Sequence, residues 1–415
     1  MMVPDLCHSN GASASPFRPF QGPFRGSSLE ATGAVRVILA SAERQGPRHR
    51  TRRCKIVESL TEAYSRRKAG DVAGARVEIT MPTRMKDIAE DLNLSVVTIS
   101  KVLHQHPDIG PETRERVLQR MKDLNYRPNL TARALVTGRT YAIGLIVPDL
   151  VHPFFGEVAK ALSSVLRAKG YSLVLSSSED DPRLEQQEID QLVARRVDVL
   201  IVASVQSDGE GFRRLQEQKT QVVLIDRRFE KVAAHFVGID DIEAGRLATE
   251  HLLEVGCRHL AHIGGPDVST AKGRLDGYRE VLARRNIEER PGTIILRGHG
   301  DDAGSQSGYA AMRTLLGLKP RPDGVFCYND PTAMGAMKAV VEQGLRVPED
   351  VAIVGCGNVA YADFLRIPLT SVDQRSSEMG MLAGKLAFSV LQNPPKRPKK
   401  VVLTPRLVRR DSTSR

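Results

Sequence analysis

Cysteine is scarce and scattered: Cys7, Cys54, Cys257, Cys327 and Cys356 stand far apart in 415 residues, with no CxxC pair. That spacing indicates neither a disulfide framework nor a zinc site, and it fits a reducing cytoplasm. Long apolar runs are missing as well. No stretch approaches the roughly 20 residues that span a bilayer, and the N-terminus holds no apolar segment resembling a secretory signal. The expectation is a soluble cytoplasmic protein with no membrane partner. The local signatures of common catalysts are absent too: no GxxxxGKS/T, no GxGxxG after a first strand, no GxSxG elbow and no His-rich metal spacing. This weighs against an enzyme and indicates no metal and no cofactor.

What is present is ample core material and a basic front. With 41% hydrophobic and 26% charged residues, the chain can build two or three packed domains and is not globally disordered. The formal net charge is +11, of which about +6 falls in residues 1–80, about +3 in 81–141 and about +2 in the remainder. A basic front on a near-neutral body fits a polyanion partner, and it equally fits a solvated basic tail for residues 1–80. Those residues are rich in Gly, Ser, Pro and Arg ("SPFRPFQGPFRGSSLE", "RQGPRHRTRRCK"). They read as a disordered extension, or as the product of a start assigned too early, since Met81 and Met85 lie just before the first well-patterned segment.

From about residue 83 to 127 the apolar spacing is helical, in three short pieces. In "DIAEDLNLSVVTISKVL", residues 87–103, Ile88, Ala89 and Leu92 share one helical face. Asn93 suits a left-handed turn, Ser95 suits a cap, and Ile99, Val102 and Leu103 face inward. Val96, Val97, Ser100, Lys101 and His104 are left on the outer face, the layout of a helix-turn-helix. Two helices and a turn occur in many α domains, so the residues after them carry weight. "GPETRERVLQRMKDLNY" makes a third helix, opened by Gly110 and Pro111, with Val117, Leu118, Met121 and Leu124 expected on its inner face. From about 142 onward, apolar runs ("YAIGLIV", "YSLVLSS", "VDVLIVAS") alternate with amphipathic segments, and the rhythm restarts after about 240. That alternation predicts βαβ units, parallel sheets and two α/β lobes with a ligand between them.

Residues 83–415 resemble the lactose-repressor and galactose-repressor (LacI/GalR) family of bacterial transcriptional regulators. The resemblance rests on "MKDIAEDLNLSVVTISKVL", "RPNLTARALVTGRTYAIGLIVPDLVHPFF", "VVLIDRR", "EAGRLATEHLLEVGCRHLAHIGG", "RLDGYREVL", "NDPTAMGAMKAVVEQGLRVPEDVAIVG", "PLTSVDQ" and "PRLVRRDST", in this order, over about four-fifths of the chain. It implies an α/β fold: an N-terminal three-helix helix-turn-helix DNA-binding domain, a hinge helix, and a two-lobed periplasmic-binding-protein-like core with parallel sheets. The implied domains are a headpiece at 81–128, a hinge helix and linker at 129–141, an N-terminal lobe at 142–239 with 373–400, and a C-terminal lobe at 240–372 with 401–415.

It further implies a ligand-responsive repressor of a double-stranded DNA operator. Carried across position by position, base reading falls to Val96, Val97 and Lys101 after the capping Ser95, with Thr98 and Ser100 as phosphate contacts; His104 shares their outer face. Valines offer thymine methyls an apolar contact and lysine suits guanine acceptors. In the hinge segment "PNLTARAL", Leu135 matches the family's minor-groove wedge, with Asn129 and Arg133 at backbone phosphate. A homodimer, or a pair of dimers forming a tetramer, is implied because one module reads too few bases. No heptad follows "LVRRDSTSR", which weighs against a tetramer built by a terminal helix bundle.

For the effector, the resemblance points to Phe154, Phe155, Asp226, Arg274, Asn329 and Asp330, with Arg274 and Asp330 as the polar partners and the phenylalanines as an apolar platform. One departure stands out. Where the family usually has "GFDD" or "GYDD", this chain has "GCGN", placing Gly357 and Asn358 at the two acidic positions. A sugar acid, a sugar phosphate or a nucleobase is then as fitting an effector as a neutral sugar. A transport solute-binding protein shares such a core but lacks residues like 83–139.

Overall fold

The computed structural model describes residues 83–415 apart from 104–105, 128–129, 208, 218–219, 230–231, 297, 299–303, 394 and 396. The expectations for residues 1–80, His104 and Asn129 lie outside the described residues.

The headpiece is built from local signals. Helix α1 (Met85–Leu92) opens with a reciprocal pair in which the Arg84 backbone N–H donates to Asp87 at 2.7 Å, and it closes on Asn93 in the left-handed region at φ 52°. Helix α2 (Val96–Leu103) follows at once, with Ser95 Oγ accepting from the Thr98 N–H at 3.0 Å. Gly110 caps α3 (Pro111–Asp123), with Pro111 at its first position, where a missing N–H costs nothing. Ile88, Ala89, Ile99, Val102, Val117 and Met121 interlock as one small core. Leu118, expected inside, is 50% exposed. Val117 and Met121, at i and i+4, already fill the inner face, and Leu118 lies about 100° round the helix from Val117. Helix α4 (Leu130–Thr137) ends at Gly138 (φ 68°) and leads into the core.

Each lobe carries a six-stranded sheet. The first has strands β1 (Ala142–Val147), β2 (Ser172–Ser177), β3 (Val199–Val202), β4 (Val222–Ile225), β5 (His235–Ile239) and β11 (Lys400–Leu403), in the order β11-β5-β4-β3-β1-β2 and parallel throughout. Its covering helices are α5 (Pro153–Arg167), α6 (Pro182–Ala194), α7 (Glu210–Glu217) and α12 (Ser376–Gln392). Strands β3 and β4 are buried along their whole length, and their sequences VLIV and VVLI read as unbroken apolar runs for that reason. The second sheet has β6 (Leu260–Ile263), β7 (Ile294–Ile295), β8 (Gly324–Cys327), β9 (Ala352–Cys356), β10 (Thr370–Asp373) and β12 (Arg406–Val408), ordered β12-β10-β9-β8-β6-β7. Only its edge pair β10 and β12 is antiparallel. Helices α8 (Asp241–Glu254), α9 (Ser269–Arg284), α10 (Ser305–Leu316) and α11 (Asp330–Glu342) belong to this lobe.

The chain crosses between sheets after β5, after β10 and after β11. The last crossing falls later than the expected boundary at 400/401, because Lys400 to Leu403 pair in register with Phe236 to Ile239. Ladder pairing to the edge of the first sheet, rather than any break in local pattern, decides where that lobe ends.

The crossing of α8 and α9 positions the cleft. A Cβ on Gly245 would sit 2.1 Å from the carbonyl oxygen of Arg274, and one on Gly277 would sit 2.0 Å from that of Ile242. Backbone packs on backbone here, which only glycine permits. Gly245→Ala is therefore expected to push α9 outward and destabilise the core by about 1–3 kcal/mol, the usual cost of overpacking. Urea unfolding against a control Gly156→Ala, whose added Cβ meets nothing within 4 Å, checks this.

Candidate functional site

The outer face of the headpiece presents apolar and cationic groups side by side. Val97 is 64% exposed and Val96 is also exposed, on the first turn of α2. Ser95 and Thr98 are joined by a 2.9 Å hydroxyl contact. Ser100 lies half-buried on the same helix. Lys101 does not extend freely: its Nζ donates to Asp108 Oδ2 at 2.6 Å, and the other oxygen of Asp108 lies 2.5 Å from His106 Nδ1. Beyond the headpiece, Leu135 projects from α4 and is 81% exposed. Arg133 turns the other way, its guanidinium 3.6 Å from the centroid of the Tyr141 ring, so α4 is tied to the start of the first lobe by a cation–π contact.

The second candidate site lies where strand ends of the two lobes meet. Asp226 follows directly on β4 in the left-handed region at φ 60° and is buried. Its Oδ1 has no hydrogen-bond partner among the described residues, and its Oδ2 is 3.9 Å from Arg227 Nε. Arg227 in turn reaches Asp180 Oδ1 and the Ser204 carbonyl, each at 3.4 Å. Arg274, from α9, is fully buried. It donates through Nε to Asp241 Oδ1 at 3.1 Å and through Nη1 to the Tyr328 carbonyl at 2.7 Å, with its guanidinium over the Tyr328 ring.

Burial dominates the titration of these acids. It raises Asp226 above the carboxylate range against the opposing pull of Arg274 and Arg227. It raises Asp241 to about 7, where Arg274 opposes it and the Asp226 charge adds to it. Two carboxylates thus lean on one guanidinium.

Asn329 caps α11 and also bridges the lobes: Oδ1 accepts from the Thr332 N–H at 2.9 Å, while Nδ2 faces His152 Nε2 at 3.2 Å. His152 is the N-cap of α5 in the other lobe. Phe154 and Phe155 follow it, but both are buried in the main core, their centroids 5.0 Å apart, rather than laid open as a platform. Asp330 does not meet Arg274. Its Oδ1 accepts from Ser371 Oγ at 2.6 Å and its Oδ2 from the Val359 N–H at 2.9 Å, which ties α11 to the ends of β9 and β10. Burial lifts Asp330 to about 6 in spite of those two bonds. Asn358 is likewise committed, its Oδ1 accepting from Arg410 Nη2 at 2.8 Å and its N–H donating to Ser371 Oγ.

The cleft residues that sequence reasoning missed are Asp241, Tyr328 and His152. Each stands beside a residue that was found or at a helix start, and the acidic doublet of "GIDDIEAG" was the available signal. Between the lobes a cleft of about 690 Å³ opens along Arg228, Phe229, Asp241, Ser269, Lys272 and Lys400.

Comparison with known proteins decides what this pairing of modules is. Residues 84–129 match the model described as bacterial regulatory proteins, lacI family, and residues 249–413 match a periplasmic binding protein-like domain. The ribose operon repressor of Halalkalibacterium halodurans is 32% identical over 334 residues, covering 80% of this chain and 97% of the relative. The regulator GalR of Escherichia coli is 32% identical over 80% of this chain and 95% of its own length. The chain belongs to the LacI family. It is accordingly a DNA-binding regulator and not an enzyme. Among solved structures, the lac repressor dimer bound to operator and the anti-inducer ONPF is similar with a TM-score of 0.71, at 25% identity, covering 80% of this chain and 99% of that one. The CelR regulator in complex with cellobiose is similar at 0.61, with 29% identity over 80% of this chain and 99% of that one. Among the described residues of this LacI-family chain, no helix is long and apolar enough to cross a membrane.

Proposed function

We propose that this regulator is a repressor that binds a pseudo-palindromic operator as a homodimer and releases or tightens on it when a polar small molecule enters the interlobe cleft. In this reading α2 lies in the major groove with Val96, Val97 and Lys101 at base edges, and Ser95, Thr98 and Ser100 are placed near phosphate. Leu135 wedges into the minor groove. The two-fold symmetry of a dimer doubles the number of bases read, which a module of three short helices needs for useful selectivity.

The observation that carries the effector reading is the buried Asp226 carboxylate oxygen, which has no hydrogen-bond partner among the described residues and feels the charges of Arg274 and Asp241. A buried acceptor left open is costly unless a donor arrives. A ligand rich in hydroxyl or N–H donors, such as a sugar or a nucleobase, supplies one. The names of the relatives agree with both: a ribose operon repressor, a GalR and, from Mannheimia succiniciproducens, a repressor PurR. Phe154 and Phe155 are buried in the main core and Asp330 and Asn358 are tied to neighbouring segments of the second lobe, so the reading assigns the contacts to Asp226, Asp241, Arg274 and Asn329, where a ligand would share or replace the partners already present. The His152 to Asn329 contact already joins the lobes, so a ligand that uses Asn329 exchanges that contact for its own. Effector and DNA are then coupled through whatever difference in affinity the ligand has for the two lobe arrangements.

Selection of bound duplexes from a random library by the full chain tests the reading, followed by calorimetric titration of pentoses, hexoses and purine bases. Enrichment of an inverted repeat, with an affinity that one ligand class shifts about 5- to 150-fold, is the expected result. A single unrepeated half-site would overturn the dimer, and no shift with any of the three ligand classes would overturn the assigned effector chemistry.

A further inference from the structure

Lys101 is the base-reading cation of the headpiece under the proposed function, and any role in DNA binding for its neighbour Asp108 rests on that assignment. The ammonium of a lysine sits on a flexible stem of four carbons and costs about 2 kcal/mol of rotamer freedom to immobilise. In this structure it is already held: Nζ meets Asp108 Oδ2 at 2.6 Å, across a separation of seven residues, and both side chains remain partly exposed. The carboxylate is itself fixed. Its second oxygen lies 2.5 Å from His106 Nδ1. His106 is itself held through its backbone, its N–H donating to the Lys101 carbonyl at 3.0 Å and its carbonyl accepting from Arg114 Nη2 at 2.8 Å. An ion pair this exposed contributes little to stability, so its consequence is positional.

We propose that Asp108 is a specificity-determining residue for DNA: it holds the Lys101 ammonium at one point beside the groove. An ammonium has three N–H donors; one goes to Asp108, and two remain for the paired N7 and O6 acceptors that guanine presents in the major groove. The same carboxylate repels phosphate, so it withdraws Lys101 from the sequence-blind backbone contact that a free lysine would make. Asp108 acts through Lys101 and is a positioning residue. Freed of it, Lys101 remains a cation near DNA but ceases to be selective.

The test is selection from a random duplex library with full-length parent, Asp108→Asn, Asp108→Glu, Lys101→Ala and the double variant Lys101→Ala/Asp108→Asn, with salt titrations on one enriched and one unselected duplex. Asp108→Asn is expected to lose about tenfold in discrimination at the same base positions that Lys101→Ala loses. It should also bind unselected duplex more tightly, with a salt slope steeper by about one phosphate contact. Asp108→Glu should restore most of the preference, and the double variant should be no less selective than Lys101→Ala alone. An unchanged thermal melt and far-ultraviolet circular dichroism for each variant show that its headpiece is folded. If Asp108→Asn keeps the parent's preferences while Lys101→Ala loses them, Asp108 has no such role and the Lys101 assignment stands. If Lys101→Ala also keeps them, the readout assigned to Lys101 is wrong and the role of Asp108 falls with it.

Discussion

Arg274→Met is expected to unfold at a much lower urea concentration than the parent at pH 8, a deficit of about 3–5 kcal/mol, and to recover part of that deficit at pH 5. The guanidinium is fully buried and serves Asp241, the Tyr328 carbonyl and, at longer range, Asp226. Methionine fills the volume but leaves two buried carboxylates, Asp226 with Arg227 at 3.9 Å and Asp241 with only the weaker pull of Arg228. The pH dependence follows from the direction of the shifts. Folding raises Asp241 to about 7 from an ordinary value near 4. A group whose folded value is raised contributes stability that is complete below the unfolded value and is lost as pH rises through the folded one. The parent should therefore weaken between about pH 4 and pH 7. In the variant the cation that opposes the rise is gone, so the folded value climbs further and the weakening extends above pH 7. Equal deficits at pH 5 and pH 8 would show that Asp241 and Asp226 do not depend on Arg274. The same variant should lose its calorimetric response to any effector, since the cleft's buried donor is removed.

Leu135→Ala is expected to do the reverse, lowering operator affinity about 100-fold while leaving the unfolding midpoint unchanged. At 81% exposure the side chain has almost no folded-state contact to lose, and surface substitutions of this kind stay within about 0.5 kcal/mol. Alanine also keeps α4 helical, so propensity is not the variable. Unstacking a base step costs a few kcal/mol, which the inserted wedge and the bend it permits must offset, and each 1.4 kcal/mol of that offset lost is a factor of ten in affinity. Fluorescence anisotropy on the selected operator, paired with a thermal melt, separates the outcomes. Unchanged affinity would remove the wedge, and a lowered melt would make Leu135 a packing residue.

The architecture was readable because its signals are local. Asn93 at a left-handed turn, Ser95 as a cap, Pro111 opening a helix and the apolar periods of α1 to α3 depend on neighbours within about four residues, and the α/β rhythm after residue 142 depends only on run length and spacing. Exposure of Val96 and Val97 followed from the same periodicity. The site was only partly readable. The segments "LIDRR", "RLDGY" and "YNDPTA" do come together, with Arg274 reaching the Tyr328 carbonyl and acting on Asp226, because the first and last follow strands and the middle one lies on a helix packed beside them.

By itself, then, the sequence determined the classes of element, their order and the family. The tertiary structure alone decided the partners. Arg274 chose Asp241 over Asp330 because the glycine crossing of α8 and α9 sets them together, while Ser371 and the Val359 N–H had already claimed Asp330. Lys400 to Leu403 joined the first lobe because β5 offered an unpaired edge, Arg133 turned to Tyr141, and Lys101 turned to Asp108. The physical reason is common to all four. A cap or a period is written in a few adjacent residues, whereas a charged group or a strand edge can satisfy itself on any of several partners, and only the folded chain brings one of them into contact.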